Sequence, residues 1–136
     1  MAADRAGRDA GRSTRPVVLI VNNDAATRML LKTSIEGLSV PCEICEAQNG
    51  DVALALARRT RPDLVLLDII LPDSSISGVL LCRELCKDSR TKVILVTRQC
   101  GQAVIDTCFF MGASAHLRVP ISADEIRTKL EEWIAE

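Results

Sequence analysis

Polar side chains follow three short apolar runs of this 136-residue chain, and they are the first candidates for chemistry. Asn22, Asn23 and Asp24 follow VVLIV, Asp68 follows LVLL, and Thr97 closes VILVT. A carboxylate at the end of an apolar strand is costly to bury without partners, and carboxylate or amide oxygens can bind Mg²⁺. The simpler interpretation is that Asp68 caps amides of a loop, while Asp24 or Asn23 caps a helix that begins here.

The six cysteines offer a second candidate for chemistry. Cys42 and Cys45 form a C-x-x-C sequence, but they fall on a predicted strand, where residues three apart point to opposite faces. Cys82 and Cys86 lie one helical turn apart, yet two ligands alone do not make a structural zinc site. The first residues contain no apolar signal segment, so we expect a cytoplasmic protein with free thiols.

Five apolar runs must position these side chains, and they alternate with five helical segments. The predicted strands are Val17–Val21, Cys42–Ala47, Leu64–Asp68, Val93–Thr97 and Ala115–Val119. The predicted helices are 24–36, 51–60, 78–88, 101–111 and 122–135. Continuous β-branched runs are typical of strands buried on both faces of a parallel sheet. The alternation predicts a doubly wound α/β sandwich whose working site lies at the carboxyl ends of the strands.

The last predicted helix has the clearest signals. Ser122 and Glu125 form a capping box at its start. Ile126, Leu130, Trp133 and Ile134 then recur at helical spacing and form one apolar stripe.

Composition limits the class of protein. Hydrophobic residues make up 48% of the chain and charged residues 26%, with a formal net charge of −1. There is no basic excess for nucleic acid or a membrane surface, and no apolar stretch approaches the roughly 20 residues of a membrane helix. We expect residues 1–15 to be a disordered lead-in and residues 16–136 to form one domain.

The order and spacing of three motifs resemble a known family. PDLVLLDIILP, VILVT and MGASAHLRVP, within about residues 16–135, look like the receiver domain of bacterial two-component response regulators. The resemblance implies a flavodoxin-like (βα)5 fold with strand order 2-1-3-4-5 and a phosphorelay signalling role rather than an enzyme. It implies that Asp68 is at the phosphoacceptor position, that Thr97 hydrogen-bonds the phosphoryl group, and that His116 is at the switch position.

The chain departs from that family at the residues that carry charge. The acidic pair that holds Mg²⁺ is replaced by Asn22 and Asn23, and the lysine before Pro120 is replaced by Val119. Arg98 stands where the residue after Thr97 is usually small. Asp68 and Asp24 are the remaining carboxylates for a metal, so we expect Mg²⁺ binding and phosphorylation to be weak or absent. The amides of Asn22 or Asn23 are expected to hydrogen-bond Asp68 directly.

The leading hypothesis is a receiver that acts by binding a partner: a histidine kinase, a phosphotransfer protein or an output protein. Its expected surface combines helix 101–111, strand 115–119 and helix 122–135, and the same face would serve a homodimer. One alternative is a working phosphoacceptor in which Asp24 and Arg98 replace the lost groups. More remote alternatives are a thiol-based sensor and a binder of a small ligand at the same crevice.

Overall fold

Five β-strands alternate with five α-helices along the chain. The computed structural model describes residues 15–98 and 100–135, so the predicted lead-in lies outside the described residues apart from Arg15. The elements are β1 Val17–Val21, α1 Ala25–Glu36, β2 Glu43–Ala47, α2 Gly50–Thr60, β3 Leu64–Leu67, α3 Gly78–Cys86, β4 Lys92–Thr97, α4 Gln102–Phe110, β5 Ala115–Arg118 and α5 Ala123–Ala135.

The strands form one parallel sheet in the order β2-β1-β3-β4-β5. This confirms the predicted fold. Every residue of β1 and β3 is buried, as expected of central strands covered by helices on both faces. Two predicted strand ends were one residue too long, because Asp68 and Val119 follow the last residues of β3 and β5. Cys42 likewise precedes β2 rather than opening it.

Helices cover both faces of the sheet. Alternate residues of β1 point to opposite faces: Leu19 packs in the layer with α2, α3 and α4, whereas Ile20 packs in the layer with α1 and α5. In the second layer Ile126 and Leu130 are fully buried, and Trp133 packs against them, so the predicted stripe of α5 is confirmed. Fully burying one such aliphatic side chain stabilises the fold by about 1.5–3 kcal/mol.

Several helix ends follow local sequence signals. Ser122 Oγ accepts a hydrogen bond from Glu125 N at 3.1 Å, which confirms the capping box before α5. Gly112, just beyond α4, has a φ of 122°, a conformation that favours glycine. Within the described part of the chain, no helix is long and apolar enough to cross a membrane.

Candidate functional site

Asp68 lies at the carboxyl edge of the sheet, in the first position after β3. Its backbone N–H donates to Val21 O at 2.9 Å, and its Oδ1 accepts from Ile70 N at 3.0 Å. The carboxylate is half-buried. Burial raises the pKa of Asp68, while the Ile70 N–H and the Arg98 guanidinium act in the opposite direction.

A cavity of about 420 Å³ opens over Asp68. Its lining includes five of the predicted site residues: Asn22, Asn23, Asp24, Asp68 and Arg98. Two further lining residues, Ile70 and Pro72, were missed by the sequence analysis. Their positions directly after Asp68 were the only signal that could have indicated them.

The two asparagines do not form the expected hydrogen bond. Asn22 is only 4% exposed, and its Oδ1 accepts from Asp24 N at 2.9 Å within the same turn. Asn23 is exposed. Among residues 15–98 and 100–135, neither amide bonds Asp68. The reason is local for Asn22, because an Asn side chain readily accepts from the backbone N–H two residues later.

Asp24 is already engaged by three donors. It is the N-cap of α1, accepting from Thr27 N at 3.1 Å and from Thr27 Oγ1 at 2.5 Å. Arg98 Nη2 donates to Asp24 Oδ2 at 2.9 Å and to Thr27 Oγ1 at 2.9 Å. The Thr27 hydroxyl first, and the Arg98 charge more weakly, hold the pKa of Asp24 below its usual value. Sequence reasoning missed Thr27, although a Thr three residues after an N-cap Asp was a visible signal.

Thr97 and His116 form a pair on neighbouring strands. A hydrogen bond of 2.6 Å joins Thr97 Oγ1 to His116 Nε2, and Thr97 is only 2% exposed. Burial lowers the pKa of His116, and the nearby Arg118 charge lowers it further. The two predicted switch residues are therefore in contact, although neither lines the cavity over Asp68.

The position of the family's lysine carries no charge in this chain. Val119 is 4% exposed and packs in the apolar layer between the sheet and α5. Pro120 follows it on the surface. Arg118 is exposed and electrostatically close to His116, on the opposite side of β5 from Leu117 and Val119. Arg98 is thus the cation that faces the cavity.

The loop from Asp68 to Ser77 is anchored on α2 and α3. Ser74 Oγ accepts from Gly50 N at 2.6 Å, and Ser77 Oγ accepts from Leu80 N at 3.2 Å as the N-cap of α3. At Gly78 an added Cβ would lie 1.8 Å from Ile69 O, so only glycine fits there. This contact fixes the backbone immediately after Asp68.

The two cysteines of the C-x-x-C sequence do not lie together. Cys42 packs on the α1 and α5 side of the sheet, whereas Cys45 packs on the other side. Cys82 is buried, and its thiol lies 3.9 Å from Cys108 O. A hydrogen bond between Cys82 and Cys86 raises the pKa of the first thiol and lowers that of the second.

The side chains over Asp68 do not fit a magnesium ion well. Mg²⁺ is usually bound through carboxylates, but Asp24 is occupied by Thr27 and Arg98, and Asn22 Oδ1 by a backbone amide. In the described ranges, no three His, Cys, Asp or Glu side chains are grouped to hold a metal. Of the side chains that line this cavity, Asp68 is the one carboxylate without an ion-pair partner, whereas all three donors to Asp24 bind its Oδ2.

The comparisons with known proteins agree with this fold. A family model described as response regulator receiver domain matches residues 18–131, and the chain therefore belongs to that family. Relatives include the probable transcriptional regulator ycf27 of Guillardia theta, 30% identical over 122 residues that cover 90% of this chain and 46% of the relative. The transcriptional regulatory protein ResD of Bacillus subtilis is 29% identical over 109 residues, covering 80% and 44%.

A solved structure supports the same assignment. The CheY-like response regulator receiver domain protein from Methanospirillum hungatei JF-1 superposes with a TM-score of 0.79 at 26% identity, covering 89% of this chain and 94% of that one. This chain spans about half the length of the curated relatives it matches. It is a receiver domain of the two-component response regulators, with the family's fold.

Proposed function

We propose that this receiver domain signals by binding a partner protein, and that phosphorylation of Asp68 is weak or absent. The observation that supports this is the use of Asp24 as a helix cap and ion-pair partner, which leaves Asp68 as the one carboxylate of the cavity without an ion-pair partner. Phosphoryl transfer depends on positioning and on neutralising the charge of the phosphoryl oxygens. Here both the acidic pair and the lysine are replaced by uncharged residues.

A labelling experiment tests the part of this proposal that concerns phosphorylation of Asp68. The chain is incubated with acetyl phosphate and Mg²⁺ beside a variant that restores the family's charges: Asn22→Asp, Asn23→Asp and Val119→Lys. Each lost electrostatic contact is typically worth several kcal/mol, so we expect the unmodified chain to label at least about a hundredfold more slowly. The variant Asn22→Asp/Asn23→Asp alone covers the case in which a lysine at the buried position 119 prevents folding.

Asp68→Asn is the control in both backgrounds, since it removes the acceptor without changing the fold. Rapid labelling of the unmodified chain that disappears with Asp68→Asn would overturn the proposal.

The second candidate function is a phosphoacceptor that uses Asp24 and Arg98. It is supported by the position of Arg98, whose charge acts on Asp68 and whose side chain lines the same cavity. Under this alternative, Arg98→Ala would abolish labelling and Asp24→Asn would weaken its dependence on Mg²⁺. Under the leading proposal, both changes leave the low labelling rate as it is.

The partner surface that we propose combines α4, β5 and α5. Phe110 at the end of α4 is 92% exposed, and Phe109 is 40% exposed, so neither phenylalanine of the sequence CFFM is a core residue. The buried member of that stretch is Cys108. An aromatic side chain left in water at the end of a helix is a natural anchor for a partner.

A two-hybrid screen tests this surface against histidine kinases, phosphotransfer proteins and the chain itself. We expect Phe110→Ala to lose the interaction by at least about tenfold, as at a typical hot spot. Met29→Ala is the matched control, because Met29 is also exposed, at 63%, but lies on α1. Equal losses from both variants would contradict the assignment of the surface.

A further inference from the structure

A second cavity lies at the opposite edge of the sheet from Asp68, where the strands begin. It has a volume of about 550 Å³ and opens between the C-terminal halves of α2 and α3. We call it the amino-edge cavity. One wall is apolar and includes Leu54, Ala57 and Leu85, with Pro62 beside them. A volume of this size is in the range of small-molecule sites.

The rim of the amino-edge cavity carries more positive than negative charge. Four cationic side chains line it, Arg58, Arg61, Lys87 and Arg90, against two acids, Glu84 and Asp88.

Both acids already serve more than one cation. Asp88 accepts from Arg61 at 3.4 Å and from Arg90 at 3.3 Å, while Glu84 pairs with Lys87 at 2.8 Å. The Lys87 hydrogen bond, with Arg58 among the weaker contributors, holds the pKa of Glu84 below its usual value. The acids therefore leave a net charge of about two positive units around the cavity.

Arg90 is the least exposed of these four cations. Its side chain is 14% exposed, and its Nε and Nη2 donate to Asp88. Its Nη1 is buried and has no hydrogen-bond partner among the described residues. Buried N–H groups are normally paired, because leaving one without an acceptor is unfavourable. Arg58 on the facing helix is exposed, and its side chain forms no hydrogen bond within residues 15–98 and 100–135, although its charge acts on Glu84.

We propose that the amino-edge cavity binds a small organic monophosphate. Guanidinium groups match the oxygens of a phosphate dianion, and the two excess charges match its charge. The apolar wall would hold the organic part of the ligand. An acidic segment of a protein is disfavoured because the cavity has the volume of a small molecule and is only half-lined by charge. This site is separate from the one over Asp68 and does not depend on the function proposed above.

The test is an NMR titration of the full chain with phenyl phosphate and, separately, with inorganic phosphate. It is run in phosphate-free buffer at physiological salt, so that weak surface attraction is screened. We expect saturable shifts at residues 84–91, with phenyl phosphate binding at least about threefold more tightly than inorganic phosphate because of the apolar wall. Arg58→Gln should weaken binding about tenfold, the usual effect of losing a hydrogen bond to a charged group.

Arg59→Gln is the matched control. It removes the same charge from the next residue of α2, and Arg59 does not line the cavity. Equal weakening by Arg58→Gln and Arg59→Gln would reduce the binding to non-specific attraction and overturn the proposal. Equal affinities for phenyl phosphate and inorganic phosphate would overturn the proposal that the ligand carries an organic group. Saturable binding of hexaglutamate without binding of either phosphate would overturn it in favour of an acidic protein segment.

Discussion

Asp24 and Asp68 are both carboxylates at the carboxyl edge of the sheet, yet their surroundings shift their pKa values in opposite directions. Thr27 and Arg98 donate to Asp24 and lower its pKa. Burial dominates at Asp68 and raises its pKa. An ionised carboxylate that is partly buried is stabilised by any partner that neutralises its charge. Asp24 already has such partners. Asp68 is therefore the less stable of the two charges.

Replacing Asp68 by asparagine should stabilise the domain at neutral pH. The folded-state pKa of Asp68 is raised above its ordinary value of 3.8, so folding is favoured below that value and loses free energy as the pH rises through the folded-state pKa. We expect Asp68→Asn to gain less than about 1 kcal/mol at pH 7, because the half-exposed group is partly solvated. Urea unfolding at pH 4 and pH 7 checks this. A gain that is equal at both pH values would contradict it.

His116 should titrate below pH 6.5, the ordinary value for histidine. Burial favours the neutral ring, so stability is fully present above pH 6.5 and falls as the pH decreases through that range. Imidazole NMR signals, recorded from pH 5 to 8, measure the pKa directly. Thr97→Val removes the hydrogen bond but not the burial, and the pKa should stay below 6.5 in that variant. A value at or above 6.5 would contradict burial as the cause.

At the scale of elements, the loops after β1, β3 and β4 decide what the site can do. The loop after β1 is held by a hydrogen bond to the Asn22 side chain, and it ends at Asp24, the N-cap of α1. The loop after β3 passes so close to α3 that Gly78 touches Ile69. The loop after β4 places Arg98 across the cavity onto Asp24. An ion pair between two loops thus lies at the cavity over Asp68.

Gly78→Ala should be strongly destabilising. The new Cβ would lie 1.8 Å from the carbonyl oxygen of Ile69, so the backbone after Asp68 must move. Overpacking typically costs about 1–3 kcal/mol, and contact with backbone places this variant at about 3 kcal/mol or more. Gly101→Ala is the control, since nothing lies within 4 Å of its Cβ position. It should change the free energy of unfolding by less than about 0.5 kcal/mol in urea titrations.

The strands, the helices and part of the site could be predicted from the sequence. Short apolar runs, three of them continuous, predicted all five strands, and S-x-x-E predicted the start of α5, because both signals are local. The contact between Arg98 and Asp24 joins residues 74 positions apart and depends on loop conformation, which no periodicity encodes. The expected bond from Asn22 to Asp68 failed for a different reason, because the Asn22 side chain accepts from a backbone N–H within its own turn.

At the scale of the whole molecule, the sheet divides the core into two layers that share its strands. Leu81 of α3 is fully buried in one layer, and Leu130 of α5 in the other. Trp133 is the one tryptophan of the chain and packs only in the second layer. Because β1 and β3 contribute alternate side chains to both layers, neither layer can lose its packing while the other keeps its strands in place.

Unfolding should therefore be a single transition. The fluorescence of Trp133 should report it even when the substitution lies in the other layer. Leu81→Ala and Leu130→Ala should each cost about 2–5 kcal/mol, the usual range for a large-to-small change in a packed core. For both variants, the midpoint from Trp133 fluorescence should coincide with the midpoint from circular dichroism. If Leu81→Ala lowered the circular dichroism midpoint and left the fluorescence midpoint unchanged, the layers would unfold separately. The sheet would then not couple the layer that contains Leu81 to the layer that contains α5.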